Sequence, residues 1–147
     1  MPLVYDATIN RIILNSPYGR YEEAIAAGAI KPGMLVEYDA NLKVVVNNNA
    51  TTAWSERTIA KENALLGKSV EDAYASTDVV QVHFLQPGDV FYGYVLAATA
   101  ITILDIVAGN GDGTFKTANA ATDKALAIAL ETKAAGANDT LVKMRAL

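Results

Sequence analysis

Val79-Val80-Gln81-Val82-His83-Phe84-Leu85, Gln86-Pro87-Gly88-Asp89 and Val90-Phe91-Tyr92-Gly93-Tyr94-Val95-Leu96 form the stretch that decides the fold. The two outer runs are rich in β-branched and aromatic residues, which suit a pleated, half-buried surface. The Pro-Gly pair between them supplies a turn. The reading is a strand, a turn and its partner strand.

The same pattern repeats on both sides. Toward the C-terminus, Ile101 to Val107 reads as a strand. Gly109-Asn110-Gly111-Asp112-Gly113 reads as a hairpin turn, where positive φ is cheap for glycine. Phe115 to Thr117 begins the return strand, and Ala125 to Glu131 and Thr140 to Arg145 close the series. Toward the N-terminus, Met34 to Tyr38 and Leu42 to Val46 form a hairpin about Asp39-Ala40-Asn41. Lys31-Pro32-Gly33 is a tight turn before it, and residues 21–30 read as a strand or an irregular turn. Residues 57–66 read as a strand with a turn, or as one short helix. Ser69 with Asp72 matches a capping box and predicts a short helical turn through Tyr74. Short strands at roughly 8–12-residue spacing predict a mainly β domain, barrel or sandwich.

The first 20 residues read as an extended arm before a body of residues 21–147. Met1 to Tyr5 and Ile9 to Leu14 are apolar and extended in type, and Ser16-Pro17-Tyr18-Gly19 ends them. Such a segment becomes ordered by adding to a sheet, its own or a neighbour's.

Composition narrows the chemistry. The chain has 147 residues and a net charge of −4, which disfavours nonspecific nucleic-acid binding. It has no cysteine, which excludes disulfides, thiolate metal sites and cysteine nucleophiles. Its one histidine, His83, excludes zinc sites built on several histidines, and a Ser-His-Asp triad has only this residue to use. Hydrophobic residues make up 52% and charged ones 19%, and 26 residues are alanine. A surface so poor in charge suits a chain partly covered by partners. The ends are mildly basic, +1 over residues 1–20 and +2 over 140–147, against −7 between. No signal peptide or bilayer-spanning run is present, so the expectation is a soluble or assembled protein.

No stretch carries a strong active-site motif. The glycine-rich turn lacks the lysine placement and the following helix of a phosphate loop, and the acids of a calcium loop. Glu22-Glu23 and Glu71-Asp72 are neighbours, whereas glycosidase carboxylates converge across a cleft. Tyr92 and Tyr94 share one face of a strand. They make half of a core, an interface strip or a sugar platform.

The sequence resembles the capsid cement, or head decoration, proteins of tailed bacteriophages. The residues that carry the likeness are Asn10-Arg11-Ile12 through Pro17-Tyr18-Gly19-Arg20 and Ala24 through Pro32-Gly33-Met34-Leu35-Val36-Glu37. Glu62 to Tyr74 with Asp78-Val79-Val80, Pro87-Gly88-Asp89-Val90-Phe91-Tyr92 and Gly109 to Thr114 extend it. The resemblance implies a compact β-barrel or "tulip" with an N-terminal arm and at most one or two short helices. It implies a homotrimer on the exterior of an expanded icosahedral head, assembled in the host cytoplasm and bound to the phage major capsid protein. Pro2, Leu3, Val4, Tyr5, Ile9, Arg11, Ile12 and Ile13 are then the capsid-binding arm. Tyr18, Arg20, Tyr92 and Tyr94 are candidates for the subunit interface. The same reading expects no enzymatic activity, cofactor, metal, direct nucleic-acid contact or membrane. The competing readings are a tail-tube or connector subunit, a carbohydrate-binding or adhesion module using Trp54 or Tyr92 and Tyr94, and a hydrolase using His83.

Overall fold

The computed structural model describes residues 9–17, 19–47, 57–136 and 138–147. The described strands are β1 (Ile13–Asn15), β2 (Arg20–Ile25), β3 (Leu35–Tyr38), β4 (Val44–Val46), β5 (Thr58–Lys61) and β6 (Val79–Phe84). They continue with β7 (Val90–Val95), β8 (Ile106–Gly109), β9 (Phe115–Thr117), β10 (Ala127–Ala129) and β11 (Thr140–Ala146). Among the described residues the helical content is one 3₁₀ turn, Ala64–Leu66. The mainly β expectation holds.

The turn at Gln86–Asp89 does not close a hairpin. β6 pairs with β2 and β5 in a five-stranded sheet of order β2-β6-β5-β3-β4. β7 pairs with β1 and β11 in a six-stranded sheet of order β1-β7-β11-β10-β8-β9. The stretch that reads as strand and partner therefore carries the chain from one sheet to the other. The physical cause is competition for edges. β2 takes all six residues of β6 on one side, from Arg20↔Phe84 to Ile25↔Val79, and β5 takes the other. No edge of β6 is left for β7. The expected hairpins at residues 34–46 and 106–117 do form.

Two cores explain why the strands read as apolar runs rather than strict alternation. One is shared by both sheets and includes Ile12, Leu35, Ile59, Phe91, Phe115 and Met144. Phe91 and Phe115 meet at 5.8 Å between ring centroids in a tilted pair. The other holds Val36, Val44, Ala60, Tyr74, Val80 and Val82 of the five-stranded sheet and its loops. Neighbours such as Leu35 and Val36, or Ile59 and Ala60, thus send side chains into different cores. The five-stranded sheet curls until its two edges touch at Ala26 and Val44, and Ala27 N–H donates to Val44 O at 2.9 Å. The body is barrel-like, although the two sheets do not close into one.

Two glycines pin the sheets together. Gly33, at φ +92°, donates to Ala60 O at 2.8 Å and accepts from Tyr94 N at 2.9 Å. Gly113, at φ +81°, donates to Asn47 O at 3.0 Å and accepts from Leu35 N at 2.8 Å. A single turn residue thus bonds to both sheets at Gly33, and the β8–β9 turn docks on the β3–β4 region at Gly113.

Three local expectations need correction. Ile101 makes only one bridge, to Lys133, and β8 starts at Ile106. Between them Asp105 accepts from Thr102 N at 2.9 Å and Leu104 takes φ +72°, so the chain turns. Ser69 and Asp72 do bond, with Ser69 N–H donating to Asp72 at 2.7 Å, but no helix follows. Tyr74 instead bridges Ile30 through bonds of 2.7 and 3.1 Å. Long-range pairing overrides the local cap there. The 9–15 half of the arm belongs to the body: Ile12 is fully buried, Ile9 and Ile13 pack on the core, and β1 is an edge strand of this molecule's own sheet. Of the two sheets open to the arm, its own and a neighbour's, this half adds to its own. Pro2, Leu3, Val4 and Tyr5 lie outside the described residues.

Tyr74 offers a pH test of the second core. Its hydroxyl donates to Lys61 O at 2.6 Å and accepts from Gln81 N at 3.3 Å. Burial, first of all, pushes its pKa from 10.0 up to about 12. A raised pKa means the neutral form is favoured on folding. This stability is therefore fully present below pH 10 and is lost as pH rises toward 12. Tyr74→Phe is expected to cost about 1–2 kcal/mol at neutral pH. The variant should also lose less further stability than the wild type between pH 10 and 12, as read by urea unfolding at each pH. Parallel alkaline profiles would refute the assignment.

Candidate functional site

The corner between β1 and β2 brings together the three residue types of a hydrolytic triad. Ser16 lies just after β1, His83 on β6, and Asp89 at the crossing into β7. Ser16 Oγ donates to Asp89 Oδ2 at 2.8 Å. His83 Nε2 lies 3.2 Å from the same Oδ2 and 3.3 Å from Ser16 Oγ. Gln86 N–H also donates to Oδ2, at 2.9 Å. His83 and Asp89 are buried, with side chains 6% and 3% exposed.

This arrangement is a knot rather than a relay. Nucleophilic catalysis needs the carboxylate on one imidazole nitrogen and the serine on the other. Here both meet Nε2. A proton on Nε2 that serves the carboxylate cannot also leave that nitrogen free to accept from serine. The serine proton is committed to Asp89 as well. The cluster satisfies buried polar groups at a three-way junction of chain segments.

A groove of about 450 Å³ opens beside the cluster, lined by Arg11, Leu14, Gly19, Tyr21, Lys61 and Glu62 among others. A second, of about 190 Å³, shares Tyr21, Lys61 and Glu62 and adds Leu65. Glu62 is buried and accepts from Ile12 N at 2.8 Å, which ties β1 to the end of β5. Lys61 Nζ sits 5.5 Å from the Tyr21 ring centroid.

The candidate interface residues separate. Tyr92 and Tyr94 are each 7% exposed and belong to the shared core, so of the readings offered for this pair the molecule has the core. They are neither an exposed strip nor a sugar ledge. Tyr94 Oη accepts from Lys31 Nζ at 3.0 Å and donates to Asp139 at 3.1 Å. Asp139 also accepts from Ala97 N at 2.9 Å. Burial, the largest cause, raises the Tyr94 pKa, and the Tyr94 bond raises that of Lys31. Arg20 is exposed, but it pairs with Glu22 at 3.2 Å and lies over the Phe84 ring at 5.1 Å. Arg11 is exposed on the groove. Tyr18 and Trp54 lie outside the described residues.

The acids of β2 bond to neighbouring strands. Glu22 accepts from the Tyr38 hydroxyl at 3.1 Å and Glu23 from the Gln81 amide at 2.8 Å, on opposite faces of β2. Among the described residues, no group of three or more metal-ligating side chains converges. Nor is any helix among them long and apolar enough to cross a membrane.

Sequence reasoning missed Ser16, Asp89 and the groove. Ser16 and Asp89 read as turn residues 73 positions apart, and nothing local joins them. Tyr21 carried a usable signal, since Tyr21, Glu23 and Ile25 alternate on the outward face of β2.

No family model matches the chain, and no curated protein matches it. A solved structure that does match is the head fiber gp8.5 N base in bacteriophage phi29, with a TM-score of 0.56 and 15% identity. The match covers 88% of this chain and 94% of that one. At this identity the likeness is one of fold.

Proposed function

We propose that the chain is a structural protein of a tailed-phage virion, docking on the outside of the head as a decoration subunit and performing no bond-making chemistry. The observation that carries the reading is the fold shared with a phage head-fiber base over nearly the full length of both chains. The order of turn-and-strand segments that resemble cement proteins points the same way. The polar knot at Ser16, His83 and Asp89 fits a non-catalytic role, since the serine and the carboxylate both meet the same imidazole nitrogen.

The partners are the major capsid protein and other copies of the chain, as trimers around three-fold positions. Many symmetric copies multiply modest contacts into high avidity. A protein that binds only the expanded shell stabilises it by mass action. The net charge of −4 disfavours contact with packaged nucleic acid.

The test is reconstitution. Purified protein added to expanded heads that lack it should give density at three-fold positions by electron microscopy and raise the heat resistance of the heads. Empty three-fold sites, or density only on the tail or connector, would overturn the proposal. Deleting residues 1–8 should leave the body folded and weaken occupancy. Deleting residues 1–14 removes the fully buried Ile12 and should also destabilise the body, by about 2–5 kcal/mol.

A further inference from the structure

We propose that Asn110 is a site of spontaneous covalent modification, at which the Gly111 nitrogen closes on the Asn110 side chain and water opens the ring to aspartate and isoaspartate. The inference goes beyond the head-docking reading and does not depend on it.

The β8–β9 turn holds the chain's one Asn-Gly pair, Asn110-Gly111, and its one Asp-Gly pair, Asp112-Gly113. Either pair can form a cyclic imide, because a following glycine has no Cβ to hinder the approach of its nitrogen. The structure separates the two. The Gly111 N–H has no hydrogen-bond partner among the described residues, and the residue is partly exposed. The Asn110 amide makes one long bond, from Nδ2 to Thr114 Oγ1 at 3.4 Å. Nucleophile and electrophile are both loosely held there. At Gly113 the residue is buried and its N–H donates to Asn47 O at 3.0 Å. The Asp112 carboxylate accepts from Thr114 N at 3.0 Å and from the Thr114 hydroxyl. The second pair is locked by the same clasp that joins the sheets.

The step needs only water. The Gly111 nitrogen gives up its proton and bonds to Asn110 Cγ. The Cγ–Nδ2 bond breaks, and ammonia leaves with that proton. Water then adds to one of the two imide carbonyls. Opening at one gives aspartate; opening at the other gives isoaspartate, whose main chain runs through Cγ. Either product adds a negative charge close to Asp112. Isoaspartate also lengthens the backbone of the turn, between the Asn110 N–H bond to Thr114 O, at 2.8 Å, and Gly113. The Gly113 bonds to Asn47 and Leu35 then lose their register. Modification therefore loosens the docking of the turn on the β3–β4 region.

The experiment incubates the folded protein in mildly alkaline buffer made with heavy-oxygen water and maps its peptides by mass spectrometry. Asn110 is expected to convert about tenfold or more faster than any other asparagine, a barrier lower by about 1.4 kcal/mol. The new residue should carry the heavy oxygen, and Asp112 should stay aspartate. In protein denatured with guanidinium, Asp112 should also isomerise, because its lock is gone. The isoaspartate form, separated by ion exchange, should melt below Asn110→Asp, which has the same charge on a normal backbone. Survival of Asn110 in the folded chain, or an Asp112 that isomerises as fast folded as denatured, would overturn the inference. So would an isoaspartate form that melts together with Asn110→Asp.

Discussion

Asp89→Ala is expected to lower the unfolding free energy by about 3 kcal/mol, the cost of leaving two to three buried donors without an acceptor. The carboxylate takes bonds from Ser16 Oγ at 2.8 Å and Gln86 N at 2.9 Å, and it faces His83 Nε2 at 3.2 Å. With the side chain 3% exposed, water does not replace it cheaply. Ser16 Oγ and His83 Nε2, 3.3 Å apart, can then bond to each other, so their loss is partly recovered. The Gln86 amide has no such choice. The effect reaches beyond the pairwise bonds, because the cluster fixes the β1–β2 corner to the crossing between β6 and β7. Asp89→Asn keeps one acceptor oxygen and should lose about half as much. Urea unfolding of both variants measures this, and a loss below about 1 kcal/mol for the alanine variant would show that the cluster is not a structural knot.

Gly113→Ala is expected to cost about 2–5 kcal/mol, from left-handed backbone strain together with overpacking. Gly113 sits at φ +81°, and an added Cβ lies 2.5 Å from Val46 Cγ1 and 3.1 Å from the Leu35 backbone oxygen. The valine methyl can shift; the carbonyl cannot without disturbing the bond it accepts from Asn47 N at 3.0 Å. Gly88 is a useful control: it has φ +92° but open space around the Cβ position, so Gly88→Ala carries the strain alone. Thermal unfolding should place Gly113→Ala clearly below Gly88→Ala. Equal losses would mean that backbone conformation alone accounts for the effect and that the clasp between the sheets contributes nothing.

Much of the fold is legible residue by residue. Val36↔Val46 pairing follows from two apolar runs around Asp39-Ala40-Asn41, and Asp39 Oδ1 accepts from Asn41 N and Lys43 N as a turn aspartate does. The β8–β9 hairpin follows from a glycine-rich turn of the same kind. The helix expected at Ser69 fails because a cap has no helix to start when the next residues bond across the molecule to Ile30. From Ile9 onward the arm joins the body because Ile12 fills the shared core. The sequence marks such residues as apolar and extended without saying whose core they enter. The candidate site was hardly legible. Ser16, His83 and Asp89 stand on three separate segments, and the groove is lined by β1 of one sheet and by β2, β5 and β6 of the other.

Composition and local pattern by themselves determined the β character, the turn positions and the exclusion of cysteine chemistry, since these depend on side-chain type and on short-range backbone preference. Only the tertiary structure decided that residues 79–96 straddle two sheets. A strand offers the same backbone donors and acceptors to any partner. The choice between β7 and β2 as the neighbour of β6 was made by distant segments: β2 and β5 on one side of the crossing, β1 and β11 on the other. Their apolar faces fill the cores only in that arrangement.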